Sequence, residues 1–228
     1  MPDIPPLPAE LFPQHLFSAV STRSCQQQRV LYDQEHKLVK AATPRRQAEF
    51  AAGRHCARLA LSHLGIEPQP ILKDPAGAPL WPHRIVGSIS HTQDLIAAVV
   101  ARRQKVLAVG IDVEYRRHPF PIAMLEQICV AEELTRLHSL SPAERELQAF
   151  LLFSAKESFY KAVYSATGFS PGFQDVRIDI DLAKGRLSGS LCRGHLSMQG
   201  RLSVGRNHVV TGIWWPNRAS NQHSPNAH

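Results

Sequence analysis

No apolar run in this chain is long enough to cross a bilayer. The longest, Leu95 to Val100 and Val106 to Ile111, fall far short of the roughly 20 residues a membrane helix needs, so no membrane span is expected. Cysteine is scarce as well. Cys25, Cys56, Cys129 and Cys192 form no CxxC pair and no zinc-like spacing, which excludes a disulfide framework and a zinc knuckle and predicts free, mostly buried thiols. The N-terminus, MPDIPPLPAELFPQH, lacks a basic stretch and places proline where a signal peptide carries its apolar segment, so a cytoplasmic protein is expected. No sequence repeat and no low-complexity linker interrupts the chain. With 43% hydrophobic and 20% charged residues, the composition excludes global disorder, a collagen-like repeat and a coiled coil.

What is present is enough chain, 228 residues, for one large domain or two small ones. Residues 1–15 carry five prolines and read as an irregular arm, and the polar tail from Pro216 reads as frayed. Thr43 followed by Pro44 predicts a helix start, and the helix ends at Leu64 before Gly65. On it Arg54 and Arg58 are expected one turn apart on one face, with Ala51, Ala52, Cys56, Leu59 and Ala60 toward a core. Asp74 to Gly77 and Pro79 signal turns, and Ile85 to Ile89 reads as a strand leading into Ser90 and His91. The runs Leu95 to Ala101 and Val106 to Glu114 flank Arg102-Arg103-Gln104-Lys105 and predict an antiparallel hairpin of strands buried on both faces.

Residues 119–149 read as helical, with Ser141-Pro142 opening a long helix to about Tyr164. Short strands separated by glycines follow, from Val176 to Trp215. The order helix, strands, helix, strands predicts an α+β fold of two similar α/β lobes, residues 1–105 and 106–215 with a tail at 216–228, and a site where they touch.

Three clusters carry chemistry. In Val109-Gly110-Ile111-Asp112-Val113-Glu114 an apolar strand ends in two carboxylates that alternation points the same way. Such a pair suits a hard cation such as magnesium, and equally suits solvated acids just past a strand end. In Phe153-Ser154-Ala155-Lys156-Glu157-Ser158-Phe159-Tyr160-Lys161, Glu157 and Lys161 share a helix face with Phe153, Tyr160 and Tyr164, where charges are expensive to bury without a purpose. In Gly87-Ser88-Ile89-Ser90-His91-Thr92, hydroxyls and an imidazole could donate to phosphate oxygens. GxSxG is absent, so no hydrolase triad is indicated.

Arginines, a Ser-His pair, D-x-E and K-E-x3-K together are what a diphosphate plus a metal would need. With these motifs the chain resembles the two-lobed 4'-phosphopantetheinyl transferases that activate nonribosomal peptide and siderophore synthetases, most closely members like enterobactin synthase component D. The resemblance covers about residues 40–180: AGRHCAR at 52–58, GAPLWP at 77–82, VGSISHT at 86–92, VGIDVE at 109–114 and FSAKESFYKA at 153–162. Phe153 stands where many relatives open the last motif with tryptophan.

The resemblance implies a pseudo-dimer of two lobes with the active site at their interface. It implies Mg2+ held by Asp112, Glu114 and Glu157 together with the coenzyme A diphosphate. Glu157, Asp112 and Lys161 would be catalytic, with Glu157 or a metal-bound water as base. Lys156 and Lys161 would offset diphosphate charge, and Arg46, Arg54, Arg58, Lys73, Ser90 and His91 would contact the other phosphates and the adenine side. The implied partners are acidic apo carrier proteins or carrier domains of fatty acid, polyketide or nonribosomal peptide synthetases, met by a monomer whose net charge is +7. Nucleic acid is not an expected partner. The competing reading is a basic nucleic-acid-binding protein or metal nuclease, suggested by the charge and the arginine-bearing helix; a second is a family member kept only to bind coenzyme A.

Overall fold

The computed structural model describes residue 7, residues 10–23 and residues 31–217. Cys25, most of residues 1–9 and the tail from residue 218 onward lie outside them, and with them the expectations placed there.

Strand β1 (Phe17–Arg23), helices α1 (Asp33–Val39) and α2 (Pro44–Ser62), and strands β2 (Ile85–His91) and β3 (Leu95–Arg102) make the first half. Its three strands form an antiparallel sheet in the order β1-β3-β2. The second half comprises β4 (Val106–Tyr115), the short α3 (Leu125–Ile128), α4 (Ala131–His138), α5 (Pro142–Thr167), β5 (Val176–Asp181), β6 (Arg186–Leu191), β7 (Ser197–Val204) and β8 (His208–Pro216). Here the sheet runs β4-β8-β7-β6-β5. The fold is α+β.

Both long helices start as their sequences dictate. The Thr43 hydroxyl accepts from the Arg46 amide, and the Ser141 hydroxyl accepts from Glu144, each cap followed by proline at the first helical position. α5 stops at Gly168, which takes the left-handed conformation at φ 70°.

Three apolar clusters stack the layers. Ala52, Cys56, Ala60 and Leu61 of α2 pack on Ile96, Ala98 and Val100 of β3. The alternate β3 residues Leu95, Ala97, Val99 and Ala101 meet Val109, Ile111 and Val113 of β4 in a core between the sheets. Under α5, Leu151, Ala155 and Phe159 pack on Ile178, Leu187 and Ile213. Leu59, expected toward the core, is instead 39% exposed.

The expected hairpin does not form: β3 is the centre of the first sheet and β4 pairs with β8 in the second. Both strands are buried on both faces, as anticipated, but by different sheets. An apolar run on each side of a polar tetrapeptide fits a hairpin locally, and only the packing of the second sheet shows that Arg102 to Lys105 carries the chain between layers.

Internal duplication is present although no repeat is visible in the residues. The order β1-β3-β2 corresponds to β4-β8-β7, with α1 and α2 matched by α4 and α5. In the first half Glu35 is fully buried. It accepts from the backbone N–H of Tyr32 (3.0 Å) and of Ile71 (2.9 Å) and pairs with Arg58 (2.8 Å). Glu133 repeats this with the N–H of Val130 (3.0 Å), the N–H of Ile178 (2.7 Å) and Lys156 (2.8 Å). Glu35 and Glu133, Thr43 and Ser141, and Arg58 and Lys156 share one offset along the chain.

Candidate active site at the seam between the sheets

β4 uses one edge to pair with β8, which leaves the N–H groups of its other edge facing β2. The Ser88 and Ser90 hydroxyls supply what a strand ladder would. Ile111 N–H donates to Ser88 Oγ (3.1 Å) and Val113 N–H donates to Ser90 Oγ (3.3 Å). The Ser90 hydroxyl in turn donates to Asp112 Oδ1 at 2.9 Å. Serine at every second residue of β2 therefore closes an edge and fixes a carboxylate.

Across the seam lies α5, pressed onto β4 at Gly110, where an added Cβ would lie 1.8 Å from the Ser158 carbonyl oxygen. This close approach brings Lys161 Nζ to 2.6 Å from Asp112 Oδ1, with Ser90 Oγ and the Ile111 carbonyl each at 3.3 Å. Glu157 sits one turn earlier on the same helix.

Asp112 is 4% exposed, and its Oδ2 is buried without a donor. Burial first, then the charge of Asp112, pushes the Glu114 carboxyl up to about 8 against the opposing Lys161. Protonated, Glu114 can donate to Asp112. Burial also raises Glu157, with Lys161 opposing and Asp112 assisting. Among the described residues no three His, Cys, Asp or Glu side chains are gathered closely enough to hold a metal ion as they stand. The donor set nevertheless fits a hard divalent cation: an orphaned buried carboxylate oxygen and two carboxyls pushed toward protonation are what a missing positive charge leaves behind.

Arg46 Nη1 donates to His91 Nε2 at 2.6 Å, and His91 Nδ1 lies 3.8 Å from Glu49 Oε2. Burial, then Arg46, lowers the His91 pKa, in keeping with a ring that accepts this bond as neutral imidazole. Glu49 also pairs with Arg45 (3.0 Å) and Arg46 (3.5 Å). Sequence reasoning passed over Glu49, although its place three residues after Arg46 on a helix is the signal that finds it. A recess of about 580 Å³ opens here, lined by Arg46, Glu49, His91 and Glu114.

Two further cavities flank α5. One of about 550 Å³ lies between the 74–81 segment, with Trp81 and Gly87, and Tyr160, Lys161 and Tyr164. The other, about 440 Å³, is lined by Lys156, Glu157, Tyr160 and Phe173. Tyr160 borders both. Phe153 stacks on Phe173 at 5.8 Å.

The seam thus assembles Arg46, Ser90, His91, Asp112, Glu114, Glu157 and Lys161. Four expectations change. Ser90 is buried and spends its hydroxyl on Asp112 instead of offering it to a phosphate. Arg54 is 5% exposed and donates to the carbonyls of Ile71 (2.7 Å) and Leu72 (3.3 Å), so it and Arg58 brace the fold instead of presenting a guanidinium pair. Lys156, 1% exposed, is neutralised by Glu133 and donates to the Phe173 (2.9 Å) and Val176 (2.7 Å) carbonyls. A buried cation is stable only when paired, and each of these found its partner inside its own half. Lys73 is exposed just before the turn that lines the larger cleft on α5.

Known families match this arrangement in two consecutive pieces. The model of the 4'-phosphopantetheinyl transferase N-terminal domain matches residues 34–101, and that of the 4'-phosphopantetheinyl transferase superfamily matches residues 108–212. Among curated relatives, 4'-phosphopantetheinyl transferase Svp of Streptomyces mobaraensis is 36% identical over 81% of this chain and 78% of its own length. 4'-phosphopantetheinyl transferase PptT of Mycobacterium tuberculosis is 35% identical over 79% of this chain and 84% of its own. Enterobactin synthase component D of Salmonella typhi is 33% identical over 65% of this chain and 61% of its own. The matched stretches contain β2, α5 and β4 from residue 108 onward, the three elements that build the seam, and the chain belongs to the 4'-phosphopantetheinyl transferase superfamily.

Proposed function

We infer that this protein transfers the 4'-phosphopantetheine arm of coenzyme A to a serine of an apo carrier protein, releasing adenosine 3',5'-bisphosphate. The observation that carries the reading is the convergence of Asp112, Glu114, Glu157 and Lys161 where β2, β4 and α5 meet, between recesses large enough for an extended ligand.

Asp112, Glu114 and Glu157 would hold Mg2+, which when bound supplies charge stabilisation to the diphosphate oxygens. Glu157, which lines the cavity beside Tyr160 and Phe173, is the base that would take the hydroxyl proton of the carrier serine. The serine oxygen forms its bond to the β-phosphorus as the bond to the bridging oxygen on the adenosine side breaks. Lys161 lies beside the buried Asp112 and faces the larger cleft, where it would offset diphosphate charge. Arg46, His91 and Lys73 would reach the remaining phosphate.

Residues 1–105 and 106–215 are the two lobes on this reading, and the protein acts as a cytoplasmic monomer. Its net charge of +7 favours carriers with acidic surfaces, from siderophore and other nonribosomal peptide, polyketide or fatty acid synthesis. Mass spectrometry of an apo carrier incubated with coenzyme A, Mg2+ and this protein tests the reading: the carrier gains one phosphopantetheine. If a characterised transferase modifies the same sample and this protein does not, the reading fails. Raising ionic strength is expected to raise KM for the carrier.

A further inference from the structure

Residues 72–80 form a tight turn tied to one side chain. Asp74 Oδ1 accepts from the Ala78 N–H at 2.8 Å, and the Asp74 N–H donates to the Ala78 carbonyl (2.9 Å). Gly77 within it adopts φ 91°, a conformation that an L side chain would strain. The second carboxylate oxygen, Oδ2, accepts from the Tyr164 hydroxyl at 2.9 Å. Among the described residues no other hydrogen bond joins this turn to α5.

Tyr164 stands three residues beyond Lys161 and stacks on Tyr160 at 6.1 Å with an interplanar angle of 19°. The turn is one wall of the 550 Å³ cleft, and Tyr160, Lys161 and Tyr164 are the opposite wall. The bond is thus a strut between the walls, anchored at one end in the first half of the chain and at the other on the helix that carries Glu157 and Lys161. Tyr164 itself is held by stacking, so its hydroxyl has a defined place.

We propose that Tyr164 is a positioning residue: its hydroxyl bond to Asp74 sets the separation between the 74–80 turn and Lys161, and so the fit of coenzyme A in the cleft. The inference rests on the transferase reading for its ligand, and it assigns Tyr164 no part in bond making.

Calorimetry with coenzyme A plus Mg2+ and steady-state kinetics on an apo carrier test it together. Tyr164→Phe keeps the ring and its stacking and removes only the hydroxyl. Loss of one hydrogen bond to a charged acceptor predicts that Kd and KM for coenzyme A rise by about tenfold. Turnover number and KM for the carrier stay within about twofold, because the strut touches no reacting atom. In Asp74→Asn the single amide oxygen keeps the Ala78 N–H and the amide nitrogen donates to the Tyr164 hydroxyl oxygen, so the strut persists with its direction reversed and affinity stays near the starting value. Asp74→Ala, which also frees the Ala78 N–H, weakens binding at least as much as Tyr164→Phe. Combining Tyr164→Phe with Asp74→Ala adds nothing further, as expected of two ends of one bond.

An unchanged Kd in Tyr164→Phe overturns the strut, as does a fall in turnover number without a change in KM, or additivity of the two substitutions. Thermal melting of each variant identifies one that has failed to fold, and the other of Tyr164→Phe and Asp74→Ala then carries the comparison with Asp74→Asn. If the parent protein transfers nothing but binds coenzyme A with the predicted dependence on Tyr164, the transferase reading fails and the strut stands. If it transfers and Tyr164→Phe binds normally, the strut alone fails. Absence of coenzyme A binding by the parent protein overturns both.

Discussion

Ser90 donates its hydroxyl to Asp112 Oδ1 at 2.9 Å while accepting the backbone N–H of Val113, so one side chain both seals the open edge of β4 and aims the carboxylate at its end. Ser88 performs only the first task, for Ile111. The two serines can therefore be separated by experiment.

Ser88→Ala leaves the buried Ile111 N–H without an acceptor and is expected to cost about 1–3 kcal/mol of stability. A urea midpoint measures this. At temperatures where the variant is folded, transfer activity stays near its starting level. Ser90→Ala destabilises by a similar amount and in addition lowers turnover, since Asp112 loses its donor. Equal loss of turnover in both variants would contradict the division of labour.

Lys156 and Lys161 lie five residues apart in one motif and answer differently. Lys156→Met strands the fully buried Glu133 and is expected to destabilise by about 3–5 kcal/mol. Lys161→Met removes a partly exposed partner of Asp112 and mainly lowers transfer. Melting curves beside carrier modification rates show the contrast. A Lys156→Met protein that melts normally and binds coenzyme A weakly would return Lys156 to the ligand.

Stability without divalent cation should fall as pH rises. Glu114 keeps its proton in the folded protein up to about 8, against an ordinary value of 4.5. Between those values the folded state holds a proton that the unfolded chain has released, so each upward step in pH favours unfolding. Below 4.5 this penalty is absent, and above 8 it is complete. Melting temperatures across that window, compared with Glu114→Gln, measure it; the substitution flattens this part of the slope. A profile unaltered by Glu114→Gln would show that the carboxyl is not held protonated.

Thiol reactivity follows burial. Cys129 is raised to about 11, by burial first and then by Glu133, and Cys56 has no exposed surface, whereas Cys192 is exposed. Iodoacetamide at pH 8 is expected to label Cys192 in the native protein and to reach Cys56 and Cys129 only after denaturation. Peptide mapping gives the answer, and rapid native labelling of Cys129 would refute it.

Much of this protein was legible in its residues because the signals are local. Thr43-Pro44 and Ser141-Pro142 start the long helices, alternation places Asp112 and Glu114 at the end of β4, and helical spacing sets Glu157 beside Lys161. The motifs that carry the family likeness are short, and chemistry restricts what can replace them. Partner choice was not legible. Arg54, Arg58 and Lys156 look like ligand cations in sequence, yet the fold supplies each with an internal partner, Glu35 and Glu133 among them, from segments distant along the chain. The duplication was hidden for the same reason: apolar positions drift freely as long as they fill space, and only the buried anchors keep their register. The residues alone determined which groups carry charge and which elements bear them. Tertiary structure decided which charges are neutralised in the interior and which remain at the seam, because a cation's availability depends on the dielectric and the counter-charge around it, and both are set only when distant segments pack.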